Sequence, residues 1–166
     1  MQYLLKLFCT VTLLSILFTS CTRNGNDTKM NLITHKQETI LAGSNTIVDS
    51  MPDQANLYAV VFEDDGTTGY FYALNMQYEM PIQDAFHIYN VKDIKDGESA
   101  MEITIAWTQD GNRSVLYIND YPHAVVDFKN KTGYCRTGFP PMDGTWDWSK
   151  NGHDWDEEDY QDMLSN

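Results

Sequence analysis

The chain has 166 residues and a formal net charge of −13 at pH 7, from 24 acidic and 11 basic residues. Negative charge in this excess repels nucleic acid and anionic membrane surfaces, so the sequence predicts no nucleic-acid partner. Residues 38–166 have the length of one ordinary domain, and no internal repeat divides them.

The first 20 residues have the features of a bacterial signal peptide. An apolar run from Leu7 to Phe18 would form a helix of about 18 Å, shorter than the ~30 Å hydrocarbon core of a bilayer. The sequence FTSC then resembles a bacterial lipobox, although Phe18 stands where leucine is usual. Residues 1–20 are therefore predicted to be a lipoprotein signal peptide, with Cys21 lipidated on its sulfur by palmitate or a similar acyl chain. A leader cut elsewhere or an uncleaved anchor is the alternative.

A lipidated Cys21 would anchor the protein in the bacterial cell envelope, at the outer membrane in a Gram-negative cell. Several acyl chains bind a bilayer far more stably than the single chain that gives only marginal binding. Residues 21–37 are polar and contain little that could pack, so they are predicted to be a flexible tether. With Cys9 removed and Cys21 acylated, Cys135 would be the one free thiol of the mature chain.

Strand patterns dominate the residues that follow. Alternating apolar side chains on both sides of Asp110-Gly111 predict a β-hairpin at residues 101–119. Aromatic and β-branched runs around the sequence DDGTTG predict another hairpin within residues 55–75.

Two other segments have less regular patterns. Residues 38–42 and 45–50 are predicted to form a weaker strand pair. Residues 80–91 contain apolar side chains at helical spacing but end in a run of strand composition. They are predicted to form a short helix or turn that leads into a strand.

The chain ends in an acidic segment that contains a short predicted helix. Asp154 and Glu157 have the spacing of a capping box, and Tyr160, Met163 and Leu164 form a small apolar face. Lys150 is the one basic residue among eight carboxylates after residue 136: Asp143, Asp147, Asp154, Asp156, Glu157, Glu158, Asp159 and Asp162. Together these elements predict an α+β fold, with one mainly antiparallel sheet of about six or seven strands, a short C-terminal helix and an acidic tail, in a single domain at residues 38–166.

The segment YPHAVVDFKNKTGYCR, residues 121–136, contains four candidates for catalysis: His123, Asp127, Cys135 and Arg136. A cysteine nucleophile needs a base within hydrogen-bond reach. A two-residue turn would place Val126 opposite Cys135 and His123 on the other face of the sheet. A shift by one residue would place Asp127 opposite Cys135 and leave His123 about 13 Å away.

Neither register brings His123 to Cys135, although a bulge at Gly133 could re-aim one strand. The preferred interpretation is therefore a small buried thiol beside Tyr134, with Arg136 paired to a carboxylate. An enzyme that uses these residues is the alternative.

Three tryptophans in the C-terminal segment predict either a cover over one end of the sheet or a partner-binding surface with an acidic rim. Trp and Tyr are favoured at the centres of protein interfaces. The candidates for that surface are Trp146, Trp148, Trp155, Asp154 and Asp156.

Two acidic sequences could be taken for metal sites. EDDGTTG lacks the alternating oxygen ligands of a calcium loop, and a hairpin turn accounts for it. HDWDEED has no second histidine at ligand spacing and is typical of an acidic helical turn. The sequence therefore predicts no metal and no cofactor.

Several separate motifs carry a resemblance to a known family. AVVFEDDGTTGYFYALN, HIYNV, YPHAVVDF and GYCRTGFP resemble a bacterial domain-of-unknown-function family, number 2251, over roughly residues 38–156. The resemblance implies that these motifs belong to one shared domain, attached here to a lipoprotein leader. It implies no activity and no catalytic residue.

Two hypotheses about function follow. The first is a non-enzymatic binding module on a lipid anchor, for example an immunity-type protein whose acidic surface masks a basic toxin. The second is an envelope enzyme in which folding brings His123, Asp127, Cys135 and Arg136 together. A cleft that holds His123 beside Cys135 would favour the enzyme, and an exposed acidic, Trp-rich surface would favour binding.

Overall fold

The structure is a computed structural model, and it describes residues 32–52, 57–94, 100–141, 144 and 147–165. The predicted signal peptide, the lipidation candidate Cys21, most of the predicted tether and Trp146 lie outside the described residues.

Two antiparallel sheets make up most of the described chain. One has the strand order β1-β6-β7-β8-β9 and the other the order β2-β3-β4-β5. The strands are β1 Ile33–Leu41, β2 Thr46–Ser50, β3 Tyr58–Asp64, β4 Thr68–Asn75, β5 Ile82–Asn90, β6 Ala100–Trp107, β7 Arg113–Ile118, β8 Tyr121–Asp127 and β9 Thr132–Cys135. A 3-10 turn spans Val91–Asp93, and the helix α1 spans Glu157–Ser165. The predicted antiparallel β-structure with a short C-terminal helix is confirmed, but the single sheet of six or seven strands is wrong.

The core lies between the two sheets, where apolar side chains from alternate positions of each strand meet. Phe62, Phe71 and Phe86 of one sheet and Ile103 and Ile105 of the other are fully buried there. Removing a side chain of this size from water contributes roughly 1.5–3 kcal/mol. This packing, rather than the helix, holds the fold together.

The predicted pairing of residues 38–42 with residues 45–50 is wrong, because these residues belong to different sheets. Ile40 of β1 lies opposite Met101 of β6, whereas Val48 of β2 lies opposite Phe62 of β3. Both Ile40 and Val48 are buried in the shared core. The chain therefore crosses from one sheet to the other, so that both side chains leave water.

Strand β1 begins at Ile33, so the last five residues of the predicted tether are strand. Most side chains in this part of β1 are exposed. Backbone hydrogen bonds to β6 hold this part of the chain in the sheet. The polar side chains do not indicate this pairing, because it involves the backbone alone.

Residues 82–90 form one continuous strand, and the predicted helix or turn is wrong. Ala73 lies opposite Asp84 and Leu74 opposite Ile82, so Gln83 is an extra residue in a β-bulge. Because of the extra residue, the outward-facing side chains on either side of the bulge are three sequence positions apart instead of two. A spacing of three positions is also typical of one face of a helix.

Helix α1 packs on the outer face of the five-stranded sheet. Tyr160 and Met163 are buried there against Val115, Val125 and Tyr134. The backbone N–H of Asp159 donates to Oδ1 of Asp156 over 2.9 Å, so Asp156 caps the helix in place of the predicted Asp154. No helix among the described residues is both long and apolar enough to cross a membrane.

Candidate functional site

The hairpin of β8 and β9 separates the candidate catalytic residues. Ala124 lies opposite Cys135, and Asp127 lies opposite Thr132. Both predicted registers are therefore wrong, because the turn has four residues, 128–131, instead of two. The conclusion drawn from the first register is confirmed: His123 and Cys135 lie on opposite faces of the sheet.

The thiol of Cys135 lies in the core. Its side chain is fully buried, and its sulfur is 3.4 Å from Oγ1 of Thr137 and 3.5 Å from the carbonyl oxygen of Phe139. Neither neighbour is a base that could form a thiolate. The prediction of a small buried thiol is confirmed.

Asp127 and Arg136 each bind a different partner. Asp127 accepts a hydrogen bond from Nε of Arg113 at 2.6 Å. The guanidinium of Arg136 is 3.3 Å from Glu157, and Nε of Arg136 donates to the carbonyl oxygen of Pro122. The predicted pairing of Arg136 with a carboxylate is confirmed, and neither residue is available to the sulfur.

His123 is partly buried, with its ring edge-on to Tyr121 at 5.5 Å. Burial and, to a smaller extent, the positive charge of Arg136 lower the pKa of His123 to about 4. The imidazole is therefore neutral at physiological pH.

Asp84, Ser149 and His153 form a buried polar cluster that no sequence pattern indicated. These side chains are 7%, 2% and 5% exposed. Oγ of Ser149 donates to Oδ2 of Asp84 at 2.5 Å, and Nε2 of His153 is 3.0 Å from Oδ1 of the same carboxylate. The cluster joins β5 to the segment before α1, and residues so distant in sequence carry no spacing that would predict it.

The surroundings of His153 act on its pKa in opposite directions. Burial lowers the pKa, but hydrogen bonds to Asp84 and to the carbonyl oxygen of Pro140, at 2.6 Å, together with the negative charges of Asp84 and Asp154, raise it above the usual 6.5. Because both ring nitrogens contact oxygen acceptors, this geometry favours the protonated ring, which pairs with the carboxylate of Asp84.

The order of these groups is not that of a catalytic triad. The carboxylate of Asp84 lies between Ser149 and His153, whereas a serine nucleophile must touch the imidazole. Oγ of Ser149 also accepts a hydrogen bond from the backbone N–H of Gly133, so this hydroxyl already acts as both a donor and an acceptor. The cluster positions the segment 149–156.

Two tryptophans of the predicted binding surface, Trp148 and Trp155, lie in different surroundings. Trp148 is 6% exposed and packs edge-on against Phe128 in the core, so its predicted role in partner binding is wrong. Its indole covers one end of the sheets because that is where its apolar area leaves water. Trp155 is half-buried and remains close to the predicted Asp154 and Asp156.

These last three residues line an open cleft of about 450 Å³. The backbone N–H of Cys135 donates to the carbonyl oxygen of His153, so the segment before α1 continues the sheet beside β9. This pairing places the segment before α1 along one wall of the cleft and the first turn of α1 along another wall. The lining residues are Thr132, Gly133, Tyr134, Ser149, Asn151, Gly152, Asp154, Trp155, Asp156 and Asp159.

Tyr134 forms the inner wall of the cleft and is 7% exposed. Its hydroxyl is buried and forms only a long, weak hydrogen bond, to the carboxylate of Asp159. Burial raises the pKa of Tyr134 well above 10, and the negative charges of Asp159 and Asp156 add to this effect. The hydroxyl therefore stays neutral beside these carboxylates.

Within the described parts of the chain, no group of three or more His, Cys, Asp or Glu residues could hold a metal ion.

The described residues form a two-sheet β-domain with an acidic, aromatic cleft beside its C-terminal helix. The chain belongs to the family DUF2251, described as an uncharacterised protein conserved in bacteria, whose sequence profile matches residues 40–164. It is 45% identical over 94 residues to an uncharacterised protein of Haemophilus influenzae. That match covers 56% of this chain and 58% of the relative. No solved structure matches the chain.

Proposed function

We propose that this protein is a lipid-anchored, non-enzymatic binding module of the bacterial cell envelope, and that its acidic C-terminal segment binds a basic protein partner. The observation that carries the proposal is the open cleft in which exposed carboxylates lie beside the aromatic rings of Tyr134 and Trp155. An immunity-type protein that masks a basic toxin is one form of this function.

Charge supports the choice of a basic partner. Asp154, Asp156 and Asp159 line the cleft and are exposed, and Glu157 and Glu158 lie next to them in the chain. A concentration of one charge on a surface speeds association with an oppositely charged partner and raises its specificity. Trp155 and Tyr134 add the aromatic area that is typical of interface centres.

The anchoring part of the proposal rests on the leader and Cys21, and a Cys21→Ser variant tests it. Without the acylated sulfur, the protein should no longer incorporate labelled palmitate, and it should remain as precursor or be released in soluble form. Equal labelling of variant and wild type would contradict lipid anchoring at this residue.

The binding part is tested by cross-linking and recovery of partners from native envelopes. The test variant carries Asp154→Asn, Asp156→Asn and Asp159→Asn. The control variant loses the same charge at exposed positions outside the cleft, through Asp49→Asn, Glu79→Gln and Asp120→Asn. A basic protein should be recovered with the wild type and the control, and lost with the test variant. Equal recovery with all three proteins would contradict the proposal.

A further inference from the structure

We infer that one end of the domain docks on the surface of a lipid bilayer, with the loop between β4 and β5 in contact with the lipid. This inference rests on the proposed lipid anchor and gives the anchored domain an orientation. Two independent observations support it. Exposed apolar side chains are concentrated at the end where the predicted tether enters the domain, and exposed lysines lie at the same end.

Contacts between the two sheets define this end, which we call the tether end. Nε1 of Trp107, the last residue of β6, donates to Oγ of Ser50, the last residue of β2, over 2.9 Å. The ring of Phe128 stacks on Trp107 and on Tyr58, the first residue of β3. Ile33, the first residue of β1, lies opposite Trp107. The predicted tether therefore enters the domain where β2 ends and β3 begins.

The loop between β4 and β5 also lies at the tether end. Asn75, the last residue of β4, lies opposite Tyr58, and the backbone N–H of Met76 donates to the carbonyl oxygen of Leu57 over 2.8 Å. Exposed apolar side chains mark a contact surface when they are grouped, whereas single ones need no explanation. Six of the ten exposed large apolar side chains of the described chain are at this end: Ile33, Met51, Met76, Tyr78, Met80 and Ile82.

Exposed lysines lie at the tether end of this acidic chain. Lys129 and Lys131 follow Phe128 in the turn between β8 and β9, and neither forms a salt bridge with a described residue. Lys150 lies near them, 3.8 Å from the exposed carboxylate of Asp147. Lysine side chains can lay their apolar stems along lipid and extend their ammonium groups to the phosphates.

A bilayer fits both observations. The predicted tether places 11 residues, 22–32, between Cys21 and Ile33. A flexible chain of this length spans about 18 Å on average and at most about 40 Å, so an acylated Cys21 would hold the tether end close to the lipid. Met, Ile and Tyr side chains suit the boundary between headgroups and acyl chains. Because Glu79 and Asp147 are also exposed here, the surface fits zwitterionic lipid better than strongly anionic lipid.

The experiment photolabels the full chain, isolated from native envelopes and reconstituted in phosphatidylcholine vesicles. A small fraction of the lipid carries a diazirine in one acyl chain near the headgroup. On illumination the diazirine loses nitrogen and inserts into any adjacent side chain. Mass spectrometry should find at least about fivefold more label on residues 76–82 than on Leu41.

Leu41 is the matched internal control, because it is 49% exposed, as is Ile82, and lies at the opposite end of β1 from the tether. Equal labelling of Leu41 and residues 76–82 would overturn the inference, whether both are labelled or neither is.

A variant of the loop tests which side chains make the contact. Its substitutions, at exposed positions that the fold does not need, are Met76→Ser, Tyr78→Ser and Met80→Ser. Ile82 remains as the reporter, and its labelling should fall roughly tenfold because the apolar area that enters the lipid is lost. A control variant replaces three exposed apolar side chains outside the tether end and should keep the wild-type labelling: Leu41→Ser, Ile47→Ser and Tyr121→Ser. Undiminished labelling of Ile82 in the loop variant would contradict the assigned contact.

The inference can fail while the proposed anchor stands. In that case the protein would stay with the vesicles and residues 22–32 would carry label, while residues 76–82 would carry none. That result would overturn the docked orientation and leave the tether end to a partner protein. Release of the protein from the vesicles, with no label on either segment, would contradict the anchor and the inference together.

Discussion

Nε2 of His153 lies 3.0 Å from Oδ1 of Asp84, and the two residues are 69 positions apart in the sequence. Both side chains are more than nine-tenths buried. The pair connects β5 of one sheet to the segment that builds the cleft beside the other. Both the stability of the fold and the shape of the cleft should therefore depend on this pair.

Asp84→Ala should lower the free energy of unfolding by about 3–5 kcal/mol, because it leaves a buried histidine and a buried serine without their shared acceptor. Urea denaturation at neutral pH measures the change. Asp49→Ala on the exposed face of β2 is the control and should change stability by less than about 0.5 kcal/mol. Similar losses in the two variants would show that the cluster contributes nothing specific.

The free energy of unfolding should depend on pH through His123. Its folded pKa of about 4 lies below the usual 6.5, so the folded state favours the neutral ring. The resulting stabilisation is complete above pH 6.5 and is lost as the pH falls through about 4. Between these limits, His123→Gln should lose less stability than the wild type. His35→Gln, at an exposed position of β1, should follow the wild type. An NMR titration midpoint near 6.5 for His123 would be inconsistent with this prediction.

Cys135 should resist thiol reagents in the folded protein and react after denaturation, because its sulfur is fully buried. Mass spectrometry of the peptide that contains Cys135 measures the labelling separately from any other cysteine. Cys135→Ala should cost about 1 kcal/mol, from a small cavity, and should leave partner binding intact. Rapid labelling of the native protein at this residue would revive the enzyme hypothesis.

Gly133→Ala should destabilise the protein by about 3 kcal/mol. A Cβ atom at this position would stand 2.8 Å from the carbonyl oxygen of Val125 and closer still to the ring of Phe86, so the two sheets would have to separate. The matched control is Gly144→Ala, where a Cβ meets nothing within 4 Å and only the positive φ of 77° imposes a cost, about 1 kcal/mol. Equal thermal stability of the two variants would contradict the close approach of Phe86 to β9.

Some features of the fold followed from short-range patterns. The hairpin of β6 and β7 was predictable because its alternation and its turn residues are adjacent in sequence, as in the hairpin of β3 and β4. The burial of Cys135 away from His123 was predictable for the same reason, since the face that a strand residue occupies depends on whether its position is odd or even. The length of the turn at residues 128–131 changed the register but not that outcome.

The candidate site was predictable only in part. Trp155, Asp154 and Asp156 were identified as possible binding residues because aromatic and acidic side chains cluster in the C-terminal segment. Tyr134 and Asp159 were not assigned to that surface, because the two residues meet only when α1 packs over β9. Trp148 could not be separated from Trp155, since composition does not tell which indole faces the core.

Local patterns are enough to predict an antiparallel β-domain with an acidic, partly helical C-terminal segment, because alternation, turn residues and charge are local properties. Long-range packing places β1 and β2 in different sheets, brings Asp84 to Ser149 and His153, and puts Tyr134 at the border of an acidic cleft. These arrangements depend on which apolar faces bury each other and on which buried polar groups then pair. Both are settled by contacts between distant parts of the chain, which local patterns do not record.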